Sequence, residues 1–166
     1  MANRRLDDDM THVNRMPGRV LALDLGEKRI GIARSDPTRT IASPFMVLNR
    51  KSRADDFARY LAIIEEQAVT LIVVGLPITL GGDEGQRAAW VRDYADDFGR
   101  HIDIPIVFQD ESLTTVAATE ALHAQGRRGR KLKGRVDAVA ATLILQSYLD
   151  AQSYPDDDEG EASYDE

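Results

Sequence analysis

The sequence predicts an α/β domain built on a mixed sheet with helices on its faces. Strand signals crowd into residues 19–25, 29–35 and 41–48, joined by links short enough for antiparallel hairpins. Beyond them helical and strand patterns alternate, and strands separated by helices return parallel through crossovers.

Each element has a local reason. Val20 to Leu23 is a short, wholly apolar run, the pattern of a strand buried on both faces, and Ile30, Ile32 and Ala33 mark a second strand a few residues later. "SRADDFARYLAIIEEQA" carries apolar residues at helical spacing, with Ser52 placed as its cap and Asp55 in its first turn. "TLIVVGLP" is rich in β-branched residues and reads as a buried strand ending at Gly75, with Pro77 preventing simple continuation. A helix is expected from about Glu84 to Arg100, and "IPIVFQDES" supplies a short strand ending near Gln109. "LTTVAATEALHAQG" predicts a helix stopped by Gly126, and a final helix spans about Gly134 to Asp150.

With 166 residues, 43% of them hydrophobic, the chain fits one compact domain with a real core. The expected organisation is a disordered extension over residues 1–17, a domain over 18–150 and a disordered acidic tail over 151–166. No run of apolar residues is long enough to cross a bilayer, and "MANRRLDDDMTHVNRMP" lacks the apolar core of a secretory signal, so the expected setting is cytoplasmic without a membrane partner. The absence of cysteine excludes disulfides, thiolate nucleophiles and Cys-ligated zinc, and His12, His101 and His123 are scattered. A bound metal would be held by oxygen.

The net charge of -7 is unevenly distributed. Seven of the 28 acids fall in "AQSYPDDDEGEASYDE", which has no base, leaving 21 acids against 21 bases in residues 1–150. Within that neutral body "GRRGRKLKGR" forms a concentrated positive field through Arg127, Arg128, Arg130, Lys131, Lys133 and Arg135. Such a run is either a solvated surface loop or a loop that tracks phosphates.

Three acids sit beside apolar structure. Asp24 ends the first strand, where lost hydration costs several kcal/mol unless a cation, hydrogen-bond donors or water compensates. It is either a turn aspartate of the hairpin built on Gly26 or a ligand. Glu111 follows the strand "IPIVF", and Asp137 is expected in the first turn of the last helix, where the dipole favours an acid. Lys28 and Arg29 are read as a solvated hairpin tip or a backbone contact, Thr114 and Thr115 as cap residues, and Trp90 as packing.

In order and spacing, "LALDLGEKRIGIARSD", "VVGLP" with "GGDEG", "QDESLTT" and "KLKGRVDAVAATLILQSYL" resemble the bacterial YqgF family, described as Holliday junction resolvases or pre-16S rRNA nucleases, of the ribonuclease H-like superfamily. The resemblance covers about residues 18–150 and implies a five-stranded mixed sheet with helices on both sides and a site of Asp24, Glu111 and Asp137. Ser112 stands where the motif often has arginine, and "LPITLGGDEG" departs from its usual Asn-Met-Asp. Carboxylate oxygens suit Mg²⁺ or Mn²⁺, and paired ions about 4 Å apart assist phosphodiester hydrolysis. The expectation is a metal-dependent endonuclease of structured RNA, most specifically the 5′ end of pre-16S rRNA, acting as a monomer or homodimer. The alternatives are a resolvase of branched DNA, a noncatalytic nucleic-acid-binding regulator with the same fold, and an actin-like nucleotide-binding fold for which 166 residues leave no second large domain.

Overall fold

A computed structural model describes residues 17–111 and 130–153, with side chains left undescribed for 130–137 and for Ser153. Three strands come first: β1 (Arg19–Leu25), β2 (Arg29–Ser35) and β3 (Ala42–Asn49). They are followed by α1 (Arg53–Gln67), β4 (Val69–Leu76), α2 (Gln86–Gly99), β5 (Ile106–Asp110) and α3 (Arg130–Ser153). The strands form one five-stranded sheet in the order β3-β2-β1-β4-β5. Pairing is antiparallel on the β2 side of β1 and parallel on the β4 side, so the mixed sheet expected from the link lengths is what forms.

The two faces of the sheet are covered by different helices, and strand alternation assigns the residues. Leu21, Leu23 and Leu25 of β1 pack, with Ile72, Val74 and Leu76 of β4, against Phe57, Tyr60 and Ile63 of α1 and Val91, Tyr94 and Phe98 of α2. Val20, Ala22, Leu71 and Val73 face the other way, against Ala141, Ile144, Leu145 and Tyr148 of α3. The period of two continues this second set to Asp24 on β1 and Gly75 on β4. A fully buried Leu or Val stabilises by about 1.5–3 kcal/mol, so a one-residue slip of β1 would forfeit several such terms and move Asp24 to the wrong face. The core thereby fixes where the acid stands.

Ser52 caps α1 as expected, its Oγ accepting from the Asp55 N–H at 3.2 Å. Behind it the buried Asp56 accepts from the Lys51 N–H at 3.0 Å, Arg59 Nη2 at 2.6 Å and the Tyr94 hydroxyl at 3.2 Å, tying α1 to α2. These bonds supply the compensation that a buried carboxylate requires.

Two helix starts differ from expectation. α2 begins at Gln86 because Glu84 is held in a β-bridge with Ile78 across the loop after β4. α3 begins at Arg130, ahead of the expected Gly134, and runs to Ser153, into the segment assigned to the acidic tail. Gly134 inside a helix costs about 1 kcal/mol, which the burial of Ala141, Ile144, Leu145 and Leu149 against the sheet outweighs. The basic run is consequently helical from Arg130 onward rather than a loop throughout. The helix expected in "LTTVAATEALHAQG", its stop at Gly126, Arg127, Arg128, Thr114 and Thr115 lie outside the described residues, as do most of the expected extension and tail.

Candidate active site

Asp24 is a half-buried residue between buried Leu23 and Leu25, with Gly31 of β2 opposite it in register. The hairpin that follows is closed by the Gly26 N–H donating to the Arg29 carbonyl at 2.8 Å. A Cβ on Gly26 would press against that same carbonyl oxygen, so the turn alone accounts for this glycine. Across the sheet, Leu23 pairs with Val74, which sets Gly75 beside Asp24 on the neighbouring parallel strand.

Glu111 reaches the same place from β5. Its N–H donates to the Leu76 carbonyl at 3.1 Å, directly after the Leu76–Asp110 pair, so the strand pairing positions its backbone. Its side chain lies over Gly75: a Cβ built there would overlap Glu111 Oε2 and come within 2.7 Å of Ile144 Cδ1. The missing side chain of Gly75 is therefore the space that Glu111 occupies. Burial raises the Glu111 carboxyl above its ordinary range, opposed by a hydrogen bond with Asp24 and by the charge of Arg87, and reinforced by Asp110. An ionised carboxylate only accepts hydrogen bonds, so two carboxyls in contact require a shared proton or a cation beside them. All the donors here are hard oxygens, the set that suits a divalent metal.

Asp137 belongs to this end of the molecule by the direction of α3. Tyr148, near the end of α3, lies in the field of Arg39, which donates to the Gly18 carbonyl and Thr70 Oγ1 where β1 and β4 begin. Gln146 accepts from the Ala42 N–H at 2.9 Å and donates to the Thr40 carbonyl at 3.1 Å. Ile144, by contrast, touches Gly75 near the end of β4. Moving back along α3 thus leads toward the strand ends that carry Asp24, and Asp137 lies about 10 Å of helix rise beyond Ile144. With the helix starting at Arg130, Asp137 is two turns inside it, not in its first turn, and the dipole explanation no longer applies. Its side chain lies outside the described residues, as do those of Arg130, Lys131, Lys133 and Arg135. Among the described residues no group of three His, Cys, Asp or Glu side chains suited to a metal is found.

One residue escaped the sequence reading. Arg87, in the first turn of α2, donates through Nη2 to the Leu25 carbonyl, and its charge acts on Glu111. A base in the first turn of a helix opposes the helix dipole, and this was the available signal. Trp90, expected as packing, is half-buried in a ring cluster with Tyr94 at 5.2 Å between centroids.

Comparison with known proteins agrees with this fold. Residues 18–151 match the model of the family described as RuvX, Holliday junction resolvase. A relative from Roseiflexus sp. (strain RS-1), named "Putative pre-16S rRNA nuclease", is 47% identical over 136 residues, covering 82% of this chain and 96% of its own length. A relative of the same name from Chloroflexus aurantiacus (strain ATCC 29366 / DSM 635 / J-10-fl) is 41% identical over 133 residues, covering 80% and 87%. Among solved structures, T. thermophilus RuvC in complex with a Holliday junction substrate superposes with a TM-score of 0.51 at 16% identity, covering 82% of this chain and 96% of that one. At that identity the likeness is one of fold. No helix among the described residues is long and apolar enough to cross a membrane.

Proposed function

From the premise that the chain belongs to the RuvX family and is a nuclease, we propose that it is a metal-dependent endonuclease that processes the 5′ end of the 16S rRNA precursor in the cytoplasm. The observation that carries the metal-dependent chemistry is the contact between the half-buried Glu111 carboxyl and Asp24 at adjoining strand ends. The substrate follows from what the relatives are named for.

Asp24, Glu111 and Asp137 would hold Mg²⁺ or Mn²⁺. Such ions, when bound, activate water for attack on phosphorus and stabilise the departing oxygen. The chain's own part is positional. The Leu76 carbonyl and the space over Gly75 fix Glu111, so this ligand is oriented before substrate arrives. Glu111 Oε2 is out of contact with solvent, which keeps bulk water from competing at that oxygen. Asp24 and Glu111 are both half-buried at the edge of the core, so the pair as a whole faces the place where a scissile phosphate would lie. The basic segment, Arg127 and Arg128 together with Arg130, Lys131, Lys133 and Arg135 of α3, holds the backbone without reading bases.

The test is cleavage of a 5′-extended 16S precursor fragment and of a four-way DNA junction, with Mg²⁺, Mn²⁺ or EDTA. Wild type should cut the RNA only with metal, and Asp24→Asn, Glu111→Gln and Asp137→Asn should each lower the rate at least about 100-fold while remaining folded. Retained cleavage in all three variants would refute the site. The family description favours one further reading, a junction resolvase, and symmetric cutting of the junction with the RNA left intact would establish it in place of RNA processing.

A further inference from the structure

Arg87 occupies its position against local preference. It sits in the first turn of α2, where the dipole disfavours a cation, and reaches over the end of β1 to the carbonyl of Leu25, the residue after Asp24. There Arg87 remains exposed while its charge acts on Glu111. The position is braced. Arg87 lies 5.5 Å from the centroid of the Trp90 ring, and Arg50 lies 4.4 Å from the same centroid. Arg50 Nη1 in turn donates to the carbonyls of Gly26 at 3.2 Å and Glu27 at 2.9 Å, and the Arg50 N–H donates to the Lys28 carbonyl at 2.8 Å. The hairpin after Asp24, the end of β3 and the start of α2 are thus locked around one indole. Two guanidinium groups drawn to one ring repel each other, and an anion bound beside them relieves that repulsion.

We propose that Arg87 is a substrate-binding residue that grips a backbone phosphate adjoining the scissile one, with Trp90 and Arg50 as positioning residues that hold its guanidinium in place. The inference rests on the nuclease reading of Asp24 and Glu111. A guanidinium carries five N–H donors, more than the Leu25 bond consumes, in a planar fork that matches two oxygens of a phosphodiester. Nucleic acid lying across the strand ends would then be held from two sides, by the basic start of α3 on one face of the sheet and by Arg87 on the other. A lysine at this place would lose both the stack on Trp90 and the bidentate geometry.

Binding of the 5′-extended 16S precursor RNA, measured in EDTA, tests this without requiring cleavage. Arg87→Ala should bind about tenfold more weakly at low salt, Arg87→Lys and Arg87→Gln should also be weakened, and Trp90→Leu should lose part of the same affinity. The dependence of log affinity on log salt should flatten by about one for Arg87→Ala. On a synthetic RNA carrying the same 5′ junction, single neutral methylphosphonate linkages are then stepped along the backbone. One linkage should weaken wild type about tenfold and leave Arg87→Ala unaffected. Wild-type affinity and salt slope in Arg87→Ala, or a weakening with no linkage that becomes silent, would overturn the proposal; should the alanine variant misfold, Arg87→Gln decides by the same two readouts. Failure of the nuclease reading would look different: no metal-dependent cleavage by wild type, with the Arg87 binding effects intact.

Discussion

Replacing Gly75 by alanine places a methyl group where two side chains now converge, and the two should respond differently. Ile144 Cδ1 would stand 2.7 Å from the new carbon and must retreat by about 1 Å to the ordinary contact of roughly 3.5–4.0 Å. Ile144 is fully buried against the sheet, so its retreat disturbs a packed core, at a cost of about 1–3 kcal/mol. The stiffer unfolded chain returns roughly 0.4–1 kcal/mol of this. A net loss of about 1–2 kcal/mol lowers Tm by roughly 2–8 °C for a domain of this size. Glu111 Oε2, also overlapped, is the far end of a flexible side chain and moves at little cost in stability. Its movement takes it off Asp24, and a misplacement of about 1 Å at a reacting centre costs about 100-fold in rate. Thermal melts and cleavage of the precursor fragment at saturating Mn²⁺ measure the two effects separately, and RNA affinity in EDTA should be unchanged. Adding Ile144→Val removes the colliding Cδ1, so the double variant should regain stability without regaining cleavage. A Gly75→Ala protein that cuts at the wild-type rate, or a double variant that recovers both properties, would refute the view that Gly75 exists to seat Glu111.

Two further outcomes follow from the same geometry. Burial raises the Glu111 carboxyl above its ordinary 4.5, so the folded chain keeps this proton to higher pH than the unfolded chain does, and stability falls as pH rises from about 4.5 through the folded value. Metal-free melts from about pH 4 to pH 8 should therefore show Glu111→Gln gaining on wild type across that window and holding its lead above it, and a gap that does not change with pH would contradict the burial. For the basic run, a helix advancing 100° per residue from Arg130 sets Arg130 and Lys133 within about 40° of Asp137, and Lys131 and Arg135 about 120–160° away. Arg130→Ala with Lys133→Ala should then weaken RNA binding and flatten its salt dependence more than Lys131→Ala with Arg135→Ala, and equal losses would return the run to an undirected positive field.

The legibility of the fold varied with how local its causes are. β1, β2, the Ser52 cap and the stop before Pro77 were readable because each depends on a few adjacent residues. The start of α2 was misplaced because it depends on Ile78 bridging to Glu84, and the start of α3 because burial against the sheet overrides Gly134. In the site, Asp24 and Glu111 stood out as acids adjoining apolar strands, whereas their union depends on the parallel pairing of β1, β4 and β5, which no short motif encodes. Arg87 was missed because its meaning lies in the Leu25 carbonyl and in Glu111, both remote in sequence.

The departures from local preference are not spread evenly over the molecule. Where β1 and β4 begin, the left-handed Arg39, at φ 57°, is compensated within the protein by the Gly18 carbonyl and Thr70 Oγ1. Nearby, the Asp36 carboxylate accepts from the Ile41 N–H, the Thr38 hydroxyl and the N–H groups of Thr40 and Thr38, which hold it well below the usual carboxylate range. Strain and charge at that end are answered by groups of the chain itself. Where β1, β4 and β5 end, a half-buried acid meets a second acid, a glycine interrupts a buried strand to admit it, and an arginine stands at the wrong end of a helix. Each of these choices runs against local preference, although Arg87 bonds the Leu25 carbonyl and Ile144 packs over Gly75. A cation shared by Asp24 and Glu111 and a phosphate on Arg87 would answer all three together. The chemistry proposed for this end is thus the term that the local energetics leave open.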